Sequence, residues 1–402
     1  MSGSNRERGQ MQVLGRRTQI VAGILAGLAL AAGCTAAPEP GPATGGGQKT
    51  AAAPAPATLD LGPKDGSNDV APGEPVTATA GGSTLSEVTL AAADGTAVPG
   101  GMDAAKQRWT SSKPLEYRTK YTLTARSVGA DGAPVTRTST FTTATARAQA
   151  YPSVIPLDGE TTGVGMPITV KFSAPVADKA AAEKMLTVTS DKPATGAWRW
   201  FGDDEVHYRT KEYWPAYSTI TLDIKIAGRA LGNGVFGKAD RKITFKTGPS
   251  IISKVSDHEK QMRTYKDGQL VLTSPVSLGK PSARSVSGTM LIMTVQSPYT
   301  MDSSTYGVPT DSPGGYRTTV KYALRLTNSG QFLHSAPWSV RQQGRTNTSH
   351  GCLNVSVENA KWFYENSHRG DVVVVTDTGV DLKPGDGWTD WRFSWEEWQK
   401  KV

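Results

Sequence analysis

Cys352 stands in "TSHGCLNVS" (Thr348–Ser356), directly after Gly351 and two residues after His350. A thiol becomes a strong nucleophile only when it gives up its proton, and imidazole is the side chain suited to take it near neutral pH. Two imidazoles are within reach of the argument: His350, its neighbour in sequence, and His334, which ends the segment "QFLHSAP". The residues alone do not choose between them. Alternate residues of a strand share a face without pointing at one another, while a strand end is a rigid seat for a base. Gly351 permits backbone conformations closed to other residues, so the amides around Gly351 and Cys352 are candidate donors to an oxyanion. Asn354 adds an amide able to hold the loop or a substrate. Residues of these types in this order point to acyl transfer through a thioester.

The chain has one other cysteine, Cys34. It closes "LAAGC", after Arg16, Arg17 and an apolar run from Ile20 to Ala32. That run is too short for a membrane span, which takes ~20 residues, and the charged, apolar, small order is that of an export signal. Small residues before a cysteine resemble a bacterial lipobox, here with Ala31 where leucine is usual and Leu30 one position earlier. Residues 1–33 therefore read as a lipoprotein-type signal peptide. Cys34 reads as a lipidated residue that anchors the exported protein to the outer face of the cytoplasmic membrane. Two acyl chains anchor stably where one does not. Cys352 is then left without a disulfide partner, as reactive thiols of exported proteins are. A structural thiol would want an apolar niche, which Ser349, His350, Gly351 and Asn354 do not offer. Zinc held by His334, His350 and Cys352 would lack a fourth ligand. No metal or cofactor is expected. His207, His258 and His368 show no partner pattern and are expected at the surface.

The elements that must position this cluster are mostly strands. The 43 glycines and 25 prolines suit β-rich domains with many turns. The formal charge of +8 is spread along the chain, with no basic run interleaved with aromatics, which argues against nucleic acid as a partner. Residues 34–58 are rich in Ala, Pro and Gly and read as a flexible tether. Alternating segments follow: Tyr121–Val128, Thr138–Thr145, Ile168–Val176, Ser218–Ile226 and Arg241–Thr247. "KPLEYRTKYTLTA…RTSTFTT" recurs loosely as "EYWPAYSTITLDI…RKITFKT" after roughly 100 residues, the span of one immunoglobulin-like sandwich. Two such sandwiches in tandem are expected, with Trp198, Trp200 and Trp214 as packing residues. From Ile251 the pattern changes. "TVKYALRLT" and "QFLHSAP" read as strands, Ser297–Tyr316 as a long loop, "VENAKWFYENSHRG" as a helix and "DVVVVTDTG" as a buried strand. Trp388, Trp391, Trp395 and Trp398 recur at near-helical spacing and read as a strap lying on the preceding domain.

His334, fourteen residues, then "SHGCLN" (Ser349–Asn354) resembles the signature of the L,D-transpeptidase family of bacterial cell-wall enzymes. "MDSSTYGVP", "GGYRT", "HSAPWSV" and "TNTSHGCLNVS", behind two immunoglobulin-like modules, resemble its mycobacterial and actinobacterial members. The resemblance implies a mainly β fold: sandwiches at 59–148 and 149–250, a β-rich catalytic domain with short helices at 251–378, and a Trp-rich strap at 379–402 packed on the catalytic domain. It implies that Cys352 is the nucleophile and His334 the base, oriented by the backbone carbonyl of Ser335. His350 and Gly351 would shape the oxyanion region. Tyr316, Ser329, Gly330, Trp338 and Asn354 match substrate-contacting positions, and Met301 and Tyr306 lie on the family's lid. The implied partners are peptidoglycan stem peptides, a tetrapeptide as acyl donor and a diamino-acid amine as acceptor, joined as 3→3 cross-links. Acylation by carbapenems follows from the same resemblance. Two rivals are a sortase-like transpeptidase, which spaces its histidine and cysteine more widely, and a non-enzymatic wall adhesin.

Overall fold

The computed structural model of the protein describes residues 57–129 and 132–400, with only the backbone of Tyr306. Cys34, the signal segment and nearly all of the tether lie outside those residues. Alternation in the sequence becomes alternation in burial. Along Lys120–Gly129 every second side chain, Tyr121, Leu123 and Ala125 among them, turns inward. This strand pairs antiparallel with Ser83–Ala92 and Pro134–Thr142. A four-stranded sheet in the order Thr58–Gly62, Thr77–Gly81, Arg108–Ser111, Gly100–Met102 supplies Leu59, Leu61, Ala78 and Trp109 to the same core. Two sheets sharing one core make a β-sandwich.

A second sandwich follows. Its sheets run Thr161–Thr162, Arg241–Thr247, Thr219–Ile224, Leu186–Ser190 and Gly196–Phe201, Glu205–Thr210, Ile168–Phe172, Pro152–Ile155. Ile168, Ile220, Leu222 and Phe245 are fully buried between them, each worth roughly 1.5–3 kcal/mol of apolar burial. Trp200 and Trp214 sit in this core and Trp198 packs against it, the role expected of them.

The cysteine-bearing unit is built on two further sheets. One has five strands in the order Gln269–Pro275, Gln261–Lys266, Ile251–Ser256, Val372–Thr376, Gly288–Leu291. Asp267 and Gly268, both at positive φ, make the tight turn of its hairpin. The valine run Val372–Thr376 is central, parallel to Ile251–Ser256, where both faces are covered. The other sheet runs Thr294–Gln296, Ala323–Arg325, Phe332–Ser335, Leu353–Val355, and its last pair is parallel. Val255, Met290 and Val373 of one sheet meet Leu324, Leu333 and Leu353 of the other in a common core. The helix Val357–Asn366 starts at Ser356, whose hydroxyl accepts the Asn359 N–H, and buries Ala360 and Phe363.

The structure corrects several expectations. "TVKYALRLT" is not one strand: Tyr322 takes φ +51° and divides it. Arg317–Val320 pairs with Tyr299–Asp302, inside the segment read as loop, to form a separate flap hairpin. The tryptophan strap reaches beyond the cysteine-bearing unit to the second sandwich, because its indole N–H groups find carbonyl acceptors there. Trp391 Nε1 donates to Gly165 O at 2.7 Å and Trp398 Nε1 to Ala197 O at 2.9 Å. The Arg209 guanidinium of the second sandwich lies over the rings of Trp391, Trp395 and Trp398 at 4.6, 5.5 and 4.8 Å. On the other side Asp386 accepts the N–H and hydroxyl of Ser329, and the Arg369 guanidinium lies 5.4 Å over the Trp388 ring. The strap therefore clasps two units. His207, expected at the surface, is buried under the strap, with Nδ1 2.7 Å from Asp390 Oδ1 and Nε2 2.9 Å from Glu205 Oε1. Burial alone would lower its pKa, but the two carboxylates prevail and hold it at about 9, so it is a cation at neutral pH. His368 is half-buried against Gly248.

Candidate active site

The parallel pairing of Phe332–Ser335 with Leu353–Val355 sets His334 opposite Asn354. Cys352 immediately precedes the second of these strands, and its side chain lines the same cavity as those of His334 and Asn354. All three open into one cavity of about 370 Å³. The flap hairpin covers it: Met301, 5% exposed, packs with Val320, Phe332 and Cys352. Trp338, 58% exposed, stands at the mouth with its ring 6.0 Å from that of His334.

His334 is buried, and its Nδ1 lies 2.9 Å from the carbonyl oxygen of Ser335. A carbonyl only accepts, so Nδ1 carries the hydrogen and Nε2 keeps its lone pair. The Ser335 hydroxyl donates elsewhere, to Lys321 O at 2.8 Å, so only the carbonyl of Ser335 serves the imidazole. Burial pushes the His334 pKa down to about 4, opposed by the bond to Ser335.

The Cys352 thiol is buried and donates to Gly330 O at 3.7 Å. Burial pushes its pKa up to about 11, with a backbone hydrogen bond from Phe332 pulling the other way. Both shifts favour the neutral forms over a thiolate–imidazolium pair. Both groups are desolvated, and the only influences acting against that are backbone hydrogen bonds.

The loop that carries the thiol is tied by its own serine. Ser349 Oγ accepts from Gly351 N at 3.1 Å and donates to Cys352 O at 2.6 Å. Gly351 takes φ +117°, a conformation that strains any residue with a Cβ. Of the two amides expected to serve an oxyanion, Gly351 N–H is thus committed to Ser349, which leaves that of Cys352. His350 sits at the rim, its ring 5.4 Å from Tyr316 and its Nε2 2.8 Å from Lys280 Nζ. Partial burial and then the Lys280 ammonium lower its pKa, so it is neutral. Asn354 Nδ2 donates to Ser339 Oγ at 3.3 Å, and its buried Oδ1 has no protein partner.

The structure thus gathers Met301, Tyr316, His334, Trp338, His350, Cys352 and Asn354 around one cavity. Gly330 joins them through its carbonyl. Ser329 does not: its N–H and hydroxyl bind the two carboxylate oxygens of Asp386 at 2.7 and 2.6 Å, which ties it to the strap segment. Tyr306 ends the turn Ser303–Tyr306 that follows the first flap strand. Sequence reasoning missed Thr318, Val320, Thr348 and Lys280. Thr348 opens the cysteine motif and Thr318 ends "GGYRT", yet neither motif gives them a role; the alternation of Arg317–Val320 once paired as a flap is the signal that points to Thr318 and Val320.

Comparison with known families matches residues 250–375 to the L,D-transpeptidase catalytic domain. Residues 67–230, which take in parts of both sandwiches, match a bacterial Ig domain. L,D-transpeptidase 2 of Mycobacterium tuberculosis is 40% identical over 336 residues, 83% of this chain and 82% of that protein. L,D-transpeptidase 5 of the same species is 32% identical over 352 residues, 86% of this chain and 76% of that protein. A solved L,D-transpeptidase structure in complex with imipenem shows 33% identity over 57% of this chain and 99% of that one, at a TM-score of 0.49.

Proposed function

The chain belongs to the L,D-transpeptidase family, and from that premise we propose that it forms 3→3 cross-links in peptidoglycan through a thioester on Cys352. The observation that carries this reading is the pairing of His334, its Nε2 lone pair free, with a neutral thiol on the same face of one covered cavity. Sγ attacks the carbonyl between the third and fourth residues of a donor tetrapeptide stem while its proton passes to His334 Nε2. The Ser335 carbonyl steadies the imidazolium as it forms. The new oxyanion faces the Cys352 N–H. Collapse breaks the peptide bond, D-alanine leaves with the proton from His334, and the thioester remains. The acceptor's diamino-acid amine then attacks, His334 takes its proton, and the thiol is released as the cross-link forms. Water must lose to that amine, and the flap with Met301 supports its exclusion.

A carbapenem meets the same thiol as a strained acyl donor, so stable acylation of Cys352 is expected. Export fits action on wall polymer. Lipidation of Cys34 would hold the enzyme at the membrane, with the sandwiches as a spacer into the wall. A radiolabelled or alkyne fatty acid should enter the wild-type protein and not Cys34→Ala.

The purified protein incubated with a disaccharide tetrapeptide should give, by mass spectrometry, a dimer lacking one D-alanine. Cys352→Ala should give neither dimer nor carbapenem adduct. An adduct retained by that variant refutes the assignment.

A further inference from the structure

Ser285 lies far in sequence from the cysteine loop but against it in space. It is 1% exposed, and its hydroxyl is doubly engaged: Gly279 N donates to it at 2.9 Å, and it donates to Gly351 O at 2.8 Å. The turn from Gly279 to Ser285 is fastened to the loop by two more bonds, Lys280 N to Ser349 O at 2.9 Å and Ser349 N to Leu278 O at 3.0 Å. A Cβ at Gly279 would lie 2.1 Å from Ala283 O, so the turn closes this tightly only around glycine. The turn is a fixed bracket, and Ser285 is its contact with the reacting loop.

The peptide between Gly351 and Cys352 is trans, so its C=O and its N–H point in opposite directions. Drawing Gly351 O toward Ser285 turns the Cys352 N–H away from the bracket. That amide is the donor left to the site, since Gly351 N–H is held by Ser349. Gly351 at φ +117° costs nothing in glycine and leaves the peptide free to rotate unless something fixes it. Ser285 holds this peptide itself, through Gly351 O, while Ser349 holds the peptides on either side of it, through Gly351 N–H and Cys352 O.

We infer that Ser285 is a positioning residue for acyl transfer: its hydroxyl orients the Gly351–Cys352 peptide so that the Cys352 N–H meets the oxygen that becomes negative. The inference rests on the reading of Cys352 as an acylated nucleophile. When Sγ attacks a carbonyl, the π pair moves onto oxygen and needs that donor. When Sγ displaces iodide from iodoacetamide, a C–S bond forms, iodide and the thiol proton leave, and no oxyanion arises. The two reactions use the same sulfur and differ in their need for the amide.

The test measures both on the purified protein: the rate constant of acylation by imipenem, followed by mass, and that of alkylation by iodoacetamide. Ser285→Ala should slow acylation by roughly 10–100-fold, below the full loss of an oxyanion donor, and leave alkylation within about twofold. A shape-matched pair covers loosening of the turn. Ser285→Thr should acylate at least about tenfold faster than Ser285→Val while the two alkylate alike. Equal slowing of both reactions in Ser285→Ala, or no slowing of acylation, overturns the inference. Wild-type protein that alkylates but is never acylated overturns instead the functional reading on which it rests.

Discussion

Burial pushes the Cys352 thiol up to about 11 and the His334 imidazole down to about 4, which favours the neutral form of each and a proton that moves as the bond forms. This has a sign that experiment can read. Below about pH 11 the thiolate fraction of Cys352 is small and grows about tenfold per pH unit. Alkylation of the free enzyme by iodoacetamide should therefore keep rising from pH 6 through pH 10, without a plateau near neutrality. A rate already level at pH 6–7 would mean a preformed thiolate–imidazolium pair and would refute the neutral resting state. Much of this residue-scale picture is legible in the sequence. "TSHGCLNVS" carries thiol, glycine and loop serine within a few positions, and local spacing conveys local proximity. Residue types and spacing left His334 and His350 open, and the resemblance alone chose His334; the parallel pairing that sets His334 opposite Asn354 is not visible in the chain. Ser285 and Lys280 had no signal at all, since the sheet brings them to the loop from some seventy positions away. Ser329 matched a substrate position by resemblance but spends its donors on Asp386.

At the scale of elements, exclusion of water from the proposed thioester would fall to the flap hairpin. Met301 is the flap side chain that packs on the thiol, alongside Val320 and Phe332. Met301→Ala removes that cover and opens a cavity above the thioester. The expected result is an acylation rate within about threefold of wild type and a several-fold rise in hydrolysed tripeptide relative to cross-linked dimer. The product ratio by mass spectrometry checks it, and an unchanged ratio would remove the flap from the mechanism. The hairpin hid in the sequence for a physical reason: its first strand is only Tyr299–Asp302, set among Ser, Pro and Gly residues that read as loop. The break at Tyr322 hid too, because nothing about tyrosine announces a positive φ. Strands with a clean period were plain. Arg241–Thr247 has the limits that alternation gives it, and the helix Val357–Asn366 begins after Ser356, a usual capping residue.

At the scale of the whole molecule, the strap joins the second sandwich to the cysteine-bearing unit, and a buried cation lies at the join. His207 lies between Asp390 of the strap and Glu205 of its own sheet, and Glu205 is also bridged by Lys171 at 2.8 Å. Beside it the tryptophans of the strap stack on Arg209, a second cation facing the same carboxylate of Asp390. A histidine whose folded pKa is about 9, against the ordinary 6.5, favours the folded state wherever it is charged there. Its contribution is full below pH 6.5 and fades as pH rises toward 9, where the ring loses its proton and Asp390 keeps one fewer partner. Replacing His207 with Asn should therefore lower Tm by several degrees at pH 6 and by much less at pH 10. A deficit that is the same at both pH values would show that packing, rather than charge, makes the clasp. Loss of the clasp should also separate melting of the second sandwich from that of the catalytic unit in calorimetry, since the strap is covalently part of one and seated on the other. Acylation of Cys352 by imipenem should persist in this variant, because its bonds to Gly330 and Ser349, and that of Gly351 to Ser285, all lie within residues 251–378.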